Sequence, residues 1–269
     1  KGWDEAFSLD ISAHIRYGED NVIAVSVYDD AAYGGIWKAV RAISPRPGAT
    51  TQGQTRRPLQ RDGSTLLLLD FNDPVKGWME NEGYGEGAFP ELGERNLAAW
   101  FSTPDKERSG LRLGLNLPTD GTIECWVNPT GMQRGQATIC SVGSVGNTKL
   151  SLHMRSDGTV VGTLVRQGAT ETLQSRASLP DEQWTHLAFT WGQAIKPRLY
   201  INGAMEAEGA APGPPYACTS DQLYLGCRPW WVKDREDHTA WYLDLNLHGY
   251  LDDFRVSSVA RERFEAVGG

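Results

Sequence analysis

Apolar and polar residues alternate with a period of two along most of this chain, which is the pattern of β-strands with two differently exposed faces. The run NVIAVSVYD shows it at residues 21–29, and from residue 65 onward it recurs in short segments. Tight-turn signals separate these segments, as at Asp157-Gly158 and Asn202-Gly203. With no long amphipathic helix pattern between them, the segments predict an all-β protein, an antiparallel β-sandwich.

Composition changes divide the chain into parts. Residues 1–45 carry three short β-patterned segments, too few to bury a core alone, so we expect them to pair with the rest of the chain. Residues 46–64 are rich in Pro, Gly, Thr, Gln and Arg and have the composition of a linker. The sandwich is expected over residues 65–262, with a tail at 263–269. Because the sequence opens within a strand-like pattern, we expect it to be a piece of a longer protein.

The bulk composition excludes two classes of partner. The net charge is −8 and the basic clusters are short, so binding to nucleic acid is not expected. No apolar run approaches the roughly 20 residues that a membrane-spanning helix needs, so no membrane insertion is expected. The four cysteines include no CxxC pair and therefore no zinc signature. They are either buried free thiols or disulfides, with Cys218 and Cys227 the better-placed pair; the other two are Cys125 and Cys140.

Six segments, in one order, resemble the laminin-G-like branch of the concanavalin A-like jelly rolls. They are LLLDFND (67–73), GTIECWVNP (121–129), WTHLAFTW (184–191), LYINGA (199–204), LYLG (223–226) and GYLDDFRVSSVAR (249–261). Each segment alone is weak, but the six in order cover about residues 65–262. The resemblance implies two curved antiparallel sheets, glycan binding in many members, and one structural calcium ion in many.

A second resemblance concerns the N-terminal part. Phe7, Asp10, Ile11, the run NVIAVSV at 21–27 and GGIWKAV at 34–40 resemble the end of the sugar-binding jelly roll of glycoside hydrolase family 2. The catalytic barrel of that family is absent here. The resemblance implies a glycan-degrading multidomain bacterial parent protein, which we expect to be secreted, periplasmic or on the cell surface, with neighbouring domains of the parent chain as partners.

An aromatic and charged insertion departs from the laminin-G-like pattern at residues 228–248, RPWWVKDREDHTAWYLDLNLH. Its rings are candidates to stack on the apolar faces of a polysaccharide or glycan, while its polar groups would bond hydroxyls. Alternatively, the rings lock a long loop to the sandwich. The predicted carbohydrate-binding residues are Trp230, Trp231, Trp241, Tyr242, Arg228, Asp237 and His238. By contrast, the alternation predicts core positions for Trp126, Trp184 and Trp191.

Two adjacent aspartates, Asp252 and Asp253, interrupt one of the last predicted strands. Plain alternation places Asp252 on the same face as Phe254 and Val256, the expected core face, and Asp253 on the opposite, solvated face. The charge of a buried carboxylate must be balanced, here by a metal cation or by an Arg. Alternatively, Asp252 caps a turn in solvent. The laminin-G-like resemblance implies a calcium ion as the cofactor, held by Asp252 with Asp70 and Asp73 from the first strand.

Catalytic patterns are missing from the sequence. It has no ExDxxE strand of the jelly-roll glucanases, no GxSxG nucleophile elbow and no HExxH metal motif. The sequence therefore favours a non-catalytic carbohydrate-binding or adhesion module. The alternatives are a structural spacer domain without ligand and a glycoside hydrolase of the same fold.

Overall fold

The computed structural model describes residues 56–73, 75–76, 84–89, 96–101, 110–130, 136–144, 147–166, 169–215, 221–233, 239–244 and 247–264, with only the backbone described at 86, 229–233 and 239–244. These residues form sixteen β-strands and no α-helix. The strands are β1 Thr65–Leu69, β2 Tyr84–Glu86, β3 Leu97–Phe101, β4 Leu111–Gly114, β5 Gly121–Pro129, β6 Ala137–Ser144, β7 Asn147–Met154, β8 Thr159–Arg166, β9 Ala169–Ser178, β10 Thr185–Trp191, β11 Arg198–Ile201, β12 Ala204–Glu208, β13 Gln222–Leu225, β14 Arg228–Lys233, β15 Thr239–Asp244 and β16 Gly249–Ser257.

Two antiparallel sheets form a sandwich, which confirms the predicted fold class. The eight-stranded sheet has the order β12-β11-β10-β5-β16-β3-β2, with β1 also paired to β16. The six-stranded sheet has the order β4-β13-β6-β7-β8-β9, and β14 and β15 form a separate two-stranded ribbon. None of the described segments is a helix of membrane-spanning length and hydropathy.

The main core lies between the two sheets and is built by the alternation seen in the sequence. Strand β5 directs Ile123, Cys125 and Val127 into it, and β10 directs Leu187, Phe189 and Trp191. Facing residues from the six-stranded sheet include Ile139, Val142, Leu150, Leu152 and Leu164. Burying each such side chain contributes about 1.5–3 kcal/mol, so this layer supplies most of the folding free energy.

A second, smaller core covers the outer face of the eight-stranded sheet, the face turned away from the six-stranded sheet. Its buried members are Leu59, Ala88, Phe89, Trp126, Ala188, Tyr200 and Phe264, with Trp184 partly buried against them. Trp126 and Trp191 are therefore buried as predicted, whereas Trp184 is half-exposed. The sequence assigns Leu59 to the linker and Phe264 to the tail, but both are apolar side chains packed on the sandwich.

Strand β16 contains a β-bulge that overturns the predicted facing of its two aspartates. The register shifts between Asp252 and Arg255, and Asp253 has a positive φ of 46°. Leu251 and Phe254 both enter the main core, so the alternation skips one residue. Asp252 lies opposite Trp126 on the outer side of the sheet rather than with Phe254. Asp253 was expected in solvent, but it is only 2% exposed.

The bulge coincides with a change of neighbours along one edge of β16. Residues Gly249–Leu251 pair with β3, whereas residues from Phe254 to Ser257 pair with β1. The other edge pairs with β5 on both sides of the bulge. The two aspartates therefore lie where pairing with β3 gives way to pairing with β1 along the same edge of β16.

Cys125 and Cys140 are buried free thiols. Burial raises the pKa of the Cys140 thiol to about 12 and that of Cys125 well above its ordinary value, so both stay protonated and unreactive. Cys227 is also buried. Because Cys218 lies outside the described residues, the Cys218/Cys227 disulfide stays a prediction.

The chain divides into two compact units, Lys1–Thr50 and Thr51–Gly269. The first unit lies outside the described residues. The family 2-like segment at 1–45 and its predicted pairing with the rest of the chain therefore stay predictions.

Candidate functional site

The aromatic insertion of the sequence forms an antiparallel ribbon. Both halves of the insertion are strands, β14 and β15. The register places Trp230 opposite Tyr242 and Trp231 opposite Trp241. Directly opposed residues share a face of a ribbon, so two aromatic positions fall on each face. The predicted site residues Asp237 and His238 lie outside the described residues, between the two strands.

Short contacts fix the base of this ribbon to the sandwich. The backbone N–H of Leu247 donates to the carbonyl of Gly226 at 2.8 Å, and the N–H of Gly226 donates to Ile139 on β6 at 2.9 Å. The Ser141 hydroxyl donates to the carbonyl of Cys227 at 3.3 Å. The ribbon therefore begins from a rigid point beside the six-stranded sheet.

The outer face of the six-stranded sheet, turned away from the main core, carries a row of polar side chains. Cross-strand pairing connects the row from β4 to β9 through Arg112, Tyr224, Ser141, Ser151, Thr163 and Thr172. Tyr224 and Ser141 are buried, whereas the residues nearer β9 are half-exposed or exposed. This polar face offers hydroxyl groups at a regular strand spacing, and the sequence analysis did not identify it.

His153 connects the polar face to the ribbon. It lies on β7, two residues from Ser151 and therefore on the same face of the strand. Burial lowers the pKa of His153, and the positive charges of Arg228 and Arg155 lower it further. The predicted site residue Arg228 is thus close enough to act on His153. A neutral imidazole next to a guanidinium can both donate and accept hydrogen bonds with a ligand hydroxyl.

The second predicted site is a set of carboxyl groups on β16 and at the end of β1. Asp252 Oδ2 accepts from the Ala88 N–H and Oδ1 from the Asp253 N–H, each at 2.8 Å. Asp253 Oδ2 accepts from the Leu59 N–H. Burial, together with smaller contributions that include the nearby charge of Asp70, raises the pKa of Asp252 to about 8 and of Asp253 to about 7.

These carboxyl groups fit a calcium ion only in part. Asp252 and Asp70 are close enough to influence each other, and another acid, Asp253, joins them. Asp73 lies at the end of the same segment. However, among the described residues no three His, Cys, Asp or Glu side chains converge as a metal-binding group. Any cation here would need main-chain carbonyl or other oxygen ligands in addition.

A buried ionic cluster on β5, β10 and β16 is the arrangement closest to catalytic machinery. Glu124 Oε1 accepts from Arg255 at 2.7 Å and 2.9 Å, and Glu124 Oε2 lies 3.3 Å from His186 Nε2. The side chains of Glu124 and His186 have no exposed surface, and that of Arg255 is 4% exposed. Because substrate cannot reach these groups, their arrangement is structural.

The structure therefore brings some of the predicted site residues together and leaves others apart. It brings Arg228 close to His153 on the polar face and pairs the four aromatic positions within the ribbon. Asp252 and Asp70 lie near each other on the eight-stranded sheet. The sequence pattern did not single out Ser151, His153 and Thr163, although KLSLHM at 149–154 has a polar residue at every second position. This alternation predicts a strand with one polar face, but it does not show that this face lies close to the insertion.

Solved structures of similar shape come from diverse proteins. A SAP-like pentraxin from Limulus polyphemus has 17% identity and a TM-score of 0.46, covering 61% of this chain and 76% of its own. Domain 4 of AbnA, a GH43 extracellular arabinanase from Geobacillus stearothermophilus in complex with arabinotriose, has 21% identity and a TM-score of 0.45, covering 67% and 76%. The botulinum neurotoxin type G receptor binding domain has 12% identity and a TM-score of 0.47, covering 76% and 49%. Similarity at this level does not extend to the ligands.

A comparison with curated protein sequences finds no significant match. A family model does match, over residues 99–265, and these residues include strands β4 to β16 and the ribbon. With this match and a sandwich of two antiparallel sheets, the chain belongs to the concanavalin A-like lectin/glucanases superfamily, in its laminin-G-like family.

Proposed function

We propose that this domain is a non-catalytic carbohydrate-binding or adhesion module of a larger exported, glycan-degrading multidomain bacterial protein. Its ligand is a polysaccharide or glycan, and its other partners are neighbouring domains of the parent chain. The observation that carries the proposal is the ribbon. Its register pairs Trp230 with Tyr242 and Trp231 with Trp241, and its first residue, Arg228, is close enough to act on His153 of the polar face.

The chemistry of a sugar matches this combination. The C–H faces of a pyranose ring are apolar and stack on aromatic rings, while its hydroxyls need hydrogen-bonding partners. The ribbon offers the aromatic residues, and Arg228, His153 and the hydroxyls of the polar face offer polar groups. Since few contacts must offset the cost of association, we expect dissociation constants in the micromolar to millimolar range.

Single substitutions in the ribbon test the proposal. Trp230→Ala, Trp231→Ala and Trp241→Ala are compared with Val232→Ala, which lies in the same strand but removes no ring. Retention on a panel of immobilised polysaccharides is measured together with the melting temperature. At least one Trp variant should bind more weakly and melt like the parent, while Val232→Ala keeps its binding.

Two results favour the structural spacer instead. One is that every Trp variant unfolds the domain, which makes the rings part of the packing. The other is that no variant changes retention on any polysaccharide. Hydrolysis of a polysaccharide by the chain would revive the glycoside hydrolase alternative, and product analysis in the same panel detects it.

We also propose a structural calcium ion held by Asp252 and Asp70, with Asp73 as the third predicted ligand. The support is a pair of adjoining carboxyl groups, one of them buried, to which the structure gives backbone N–H donors and neighbouring carboxylates of the same sign, Asp253 and Asp70, among the described residues. A ligand that binds only the folded state raises its stability. Millimolar calcium should therefore raise the melting temperature, and Asp252→Asn should abolish the rise. Equal melting temperatures in calcium and in EDTA would contradict it.

A further inference from the structure

A row of aromatic side chains lies on the outer face of the eight-stranded sheet, on the opposite side of the sandwich from the polar face. Tyr250 is its centre. The ring centroids of Tyr250 and Trp100 are 4.5 Å apart, and those of Tyr250 and Trp184 are 6.3 Å apart. His248 extends the row beyond Trp100, at 5.2 Å. All four side chains, the outer aromatic row, are half-exposed.

Strand pairing holds the row in place. Tyr250 on β16 lies opposite Trp100 on β3 and opposite Asn128 on β5. Its neighbour Leu251 enters the main core, so the backbone on which Tyr250 sits is rigid. The absence of a side chain at Gly85 leaves room for the Tyr250 ring, since a Cβ there would lie 2.2 Å from Cε1 of Tyr250. The tyrosine ring therefore lies close to the backbone of β2.

Polar groups with unmet hydrogen-bonding capacity lie beside the rings. Within the described part of the chain, neither Asn128 Oδ1 nor Thr130 Oγ1 has a hydrogen-bond partner. Both residues are half-exposed, although these two atoms are turned inward. The terminal amide torsion of Asn is soft, so rotation of the amide changes which of its two polar atoms faces the surface beside Tyr250. Buried polar atoms without partners are rare in native structures and point to a missing partner.

The aromatic rings and the Asn128 amide determine which class of ligand fits this surface. Half-exposed rings accept flat apolar surfaces, which a pyranose ring and a proline-rich peptide both offer. The amide oxygen of Asn128 additionally needs a hydrogen-bond donor. A sugar carries hydroxyl donors around its ring, whereas proline has no backbone N–H. The indole, phenol, imidazole and amide groups also suit a neutral ligand.

We propose that the outer aromatic row is a second carbohydrate-binding surface, which stacks the pyranose rings of a neutral oligosaccharide on Trp100, Tyr250 and Trp184 and bonds their hydroxyls through Asn128. The surface shares no residue with the ribbon and lies on the other sheet. A sandwich with a sugar site on each sheet would bind two segments of polysaccharide and gain retention by multivalency.

The experiment uses the full chain labelled with ¹⁵N at its tryptophan indoles. Oligosaccharides from arabinan, xylan, β-glucan and mannan are titrated in turn, and poly-L-proline is the competing probe. Trp100→Phe and Trp184→Phe assign the two indole signals while keeping an aromatic ring. We expect at least one oligosaccharide to shift both signals. In polysaccharide retention, Asn128→Ala and Trp100→Ala should bind about two- to tenfold more weakly at an unchanged melting temperature.

The double variant Trp231→Ala/Trp241→Ala separates this site from the ribbon. If the sugar-induced shifts of Trp100 and Trp184 persist in that variant, the second surface is supported, whatever the ribbon does. If the oligosaccharides leave both signals unmoved, or only poly-L-proline moves them, the inference is wrong, while ribbon-dependent retention would still uphold the proposed function. The titration of the parent chain needs no alanine variant, so it stays decisive even where the double variant fails to fold.

Discussion

At the scale of single residues, charge burial is the most unusual feature of this domain. Glu124, His186 and Arg255 are packed out of contact with water on the outer face of the eight-stranded sheet. Burial alone would raise the pKa of Glu124, but the hydrogen bonds and charges of His186 and Arg255 hold it below its ordinary value. The guanidinium of Arg255 also donates to the carbonyl of Gln60. The cluster therefore ties the sheet to the segment that precedes β1.

Removing one member of this cluster should be costly, because the remaining charge stays buried without compensation. We expect Glu124→Gln to lower the free energy of unfolding by about 3–5 kcal/mol in urea denaturation. Lys196→Ala is the matched control, since Lys196 pairs with Glu208 at 3.3 Å while 44% exposed. Such surface pairs contribute about 0–1 kcal/mol. Equal losses in the two variants would contradict this account of the cluster.

At the scale of elements, the connection between β13 and the ribbon determines where the insertion leaves the sandwich. Gly226 occupies it with a φ of 69°, a conformation that favours glycine. A Cβ there would lie 2.0 Å from Cδ1 of the buried Phe101. The backbone hydrogen bonds to Leu247 and Ile139 are made by this same residue, Gly226. A side chain at this position would therefore disturb the ribbon base and the main core together.

We expect Gly226→Ala to destabilise the domain by about 1–3 kcal/mol, because both the backbone conformation and the close approach of Phe101 oppose a methyl group. Gly114→Ala is the control, since a Cβ at Gly114 meets no atom within 4 Å. Urea denaturation of both variants measures the difference. If Gly226→Ala unfolds at the same denaturant concentration as the control, the strain at this connection is not significant.

At the scale of the whole molecule, the segment before β1 and the segment after β16 cover one sheet together. Leu59 and Phe264 share the second core, and Arg261 pairs with Asp62. Leu59 also donates its N–H to the buried Asp253. Residues 56–64 thus belong to the packed structure, although their composition is that of a linker.

A chain beginning at Thr65 should consequently be less stable than one beginning at Thr51. It loses the burial of Leu59, which contributes about 1.5–3 kcal/mol, and the partners of Asp253, Arg255 and Arg261. We expect a total loss of about 3 kcal/mol or more, measured by urea denaturation of the two chains. Equal unfolding free energies would show that residues 51–64 contribute nothing to the fold.

The ion pair between these two segments predicts an acid-sensitive contribution to stability. The hydrogen bonds of Arg261 and Ser64 hold the pKa of Asp62 well below its usual range. A lowered carboxyl pKa stabilises the folded state above the unfolded pKa of about 3.9, and this stabilisation is lost as the pH falls further. Asp62 is 45% exposed, so the contribution is at most about 1 kcal/mol.

The melting temperature of the parent chain should therefore fall more steeply between pH 5 and pH 2 than that of Asp62→Asn. Asp181→Asn, which alters an exposed carboxylate before β10, should keep the parental slope. If Asp62→Asn and the parent lose stability in parallel, the ion pair does not link the two segments in solution.

The sequence by itself determined many of the strands, the sandwich and the superfamily. Alternation and turn signals lie in adjacent residues, so they do not depend on which strands become neighbours. It also located the insertion and the unusual aspartates. Tertiary structure decided their environments. One bulged residue in β16 moved Asp252 from the expected core face to the outer face, because β3 and β1 meet there. The polar face, the second core and the outer aromatic row each join strands far apart in sequence. Such surfaces depend on which strands become neighbours, and local periodicity carries no information about that.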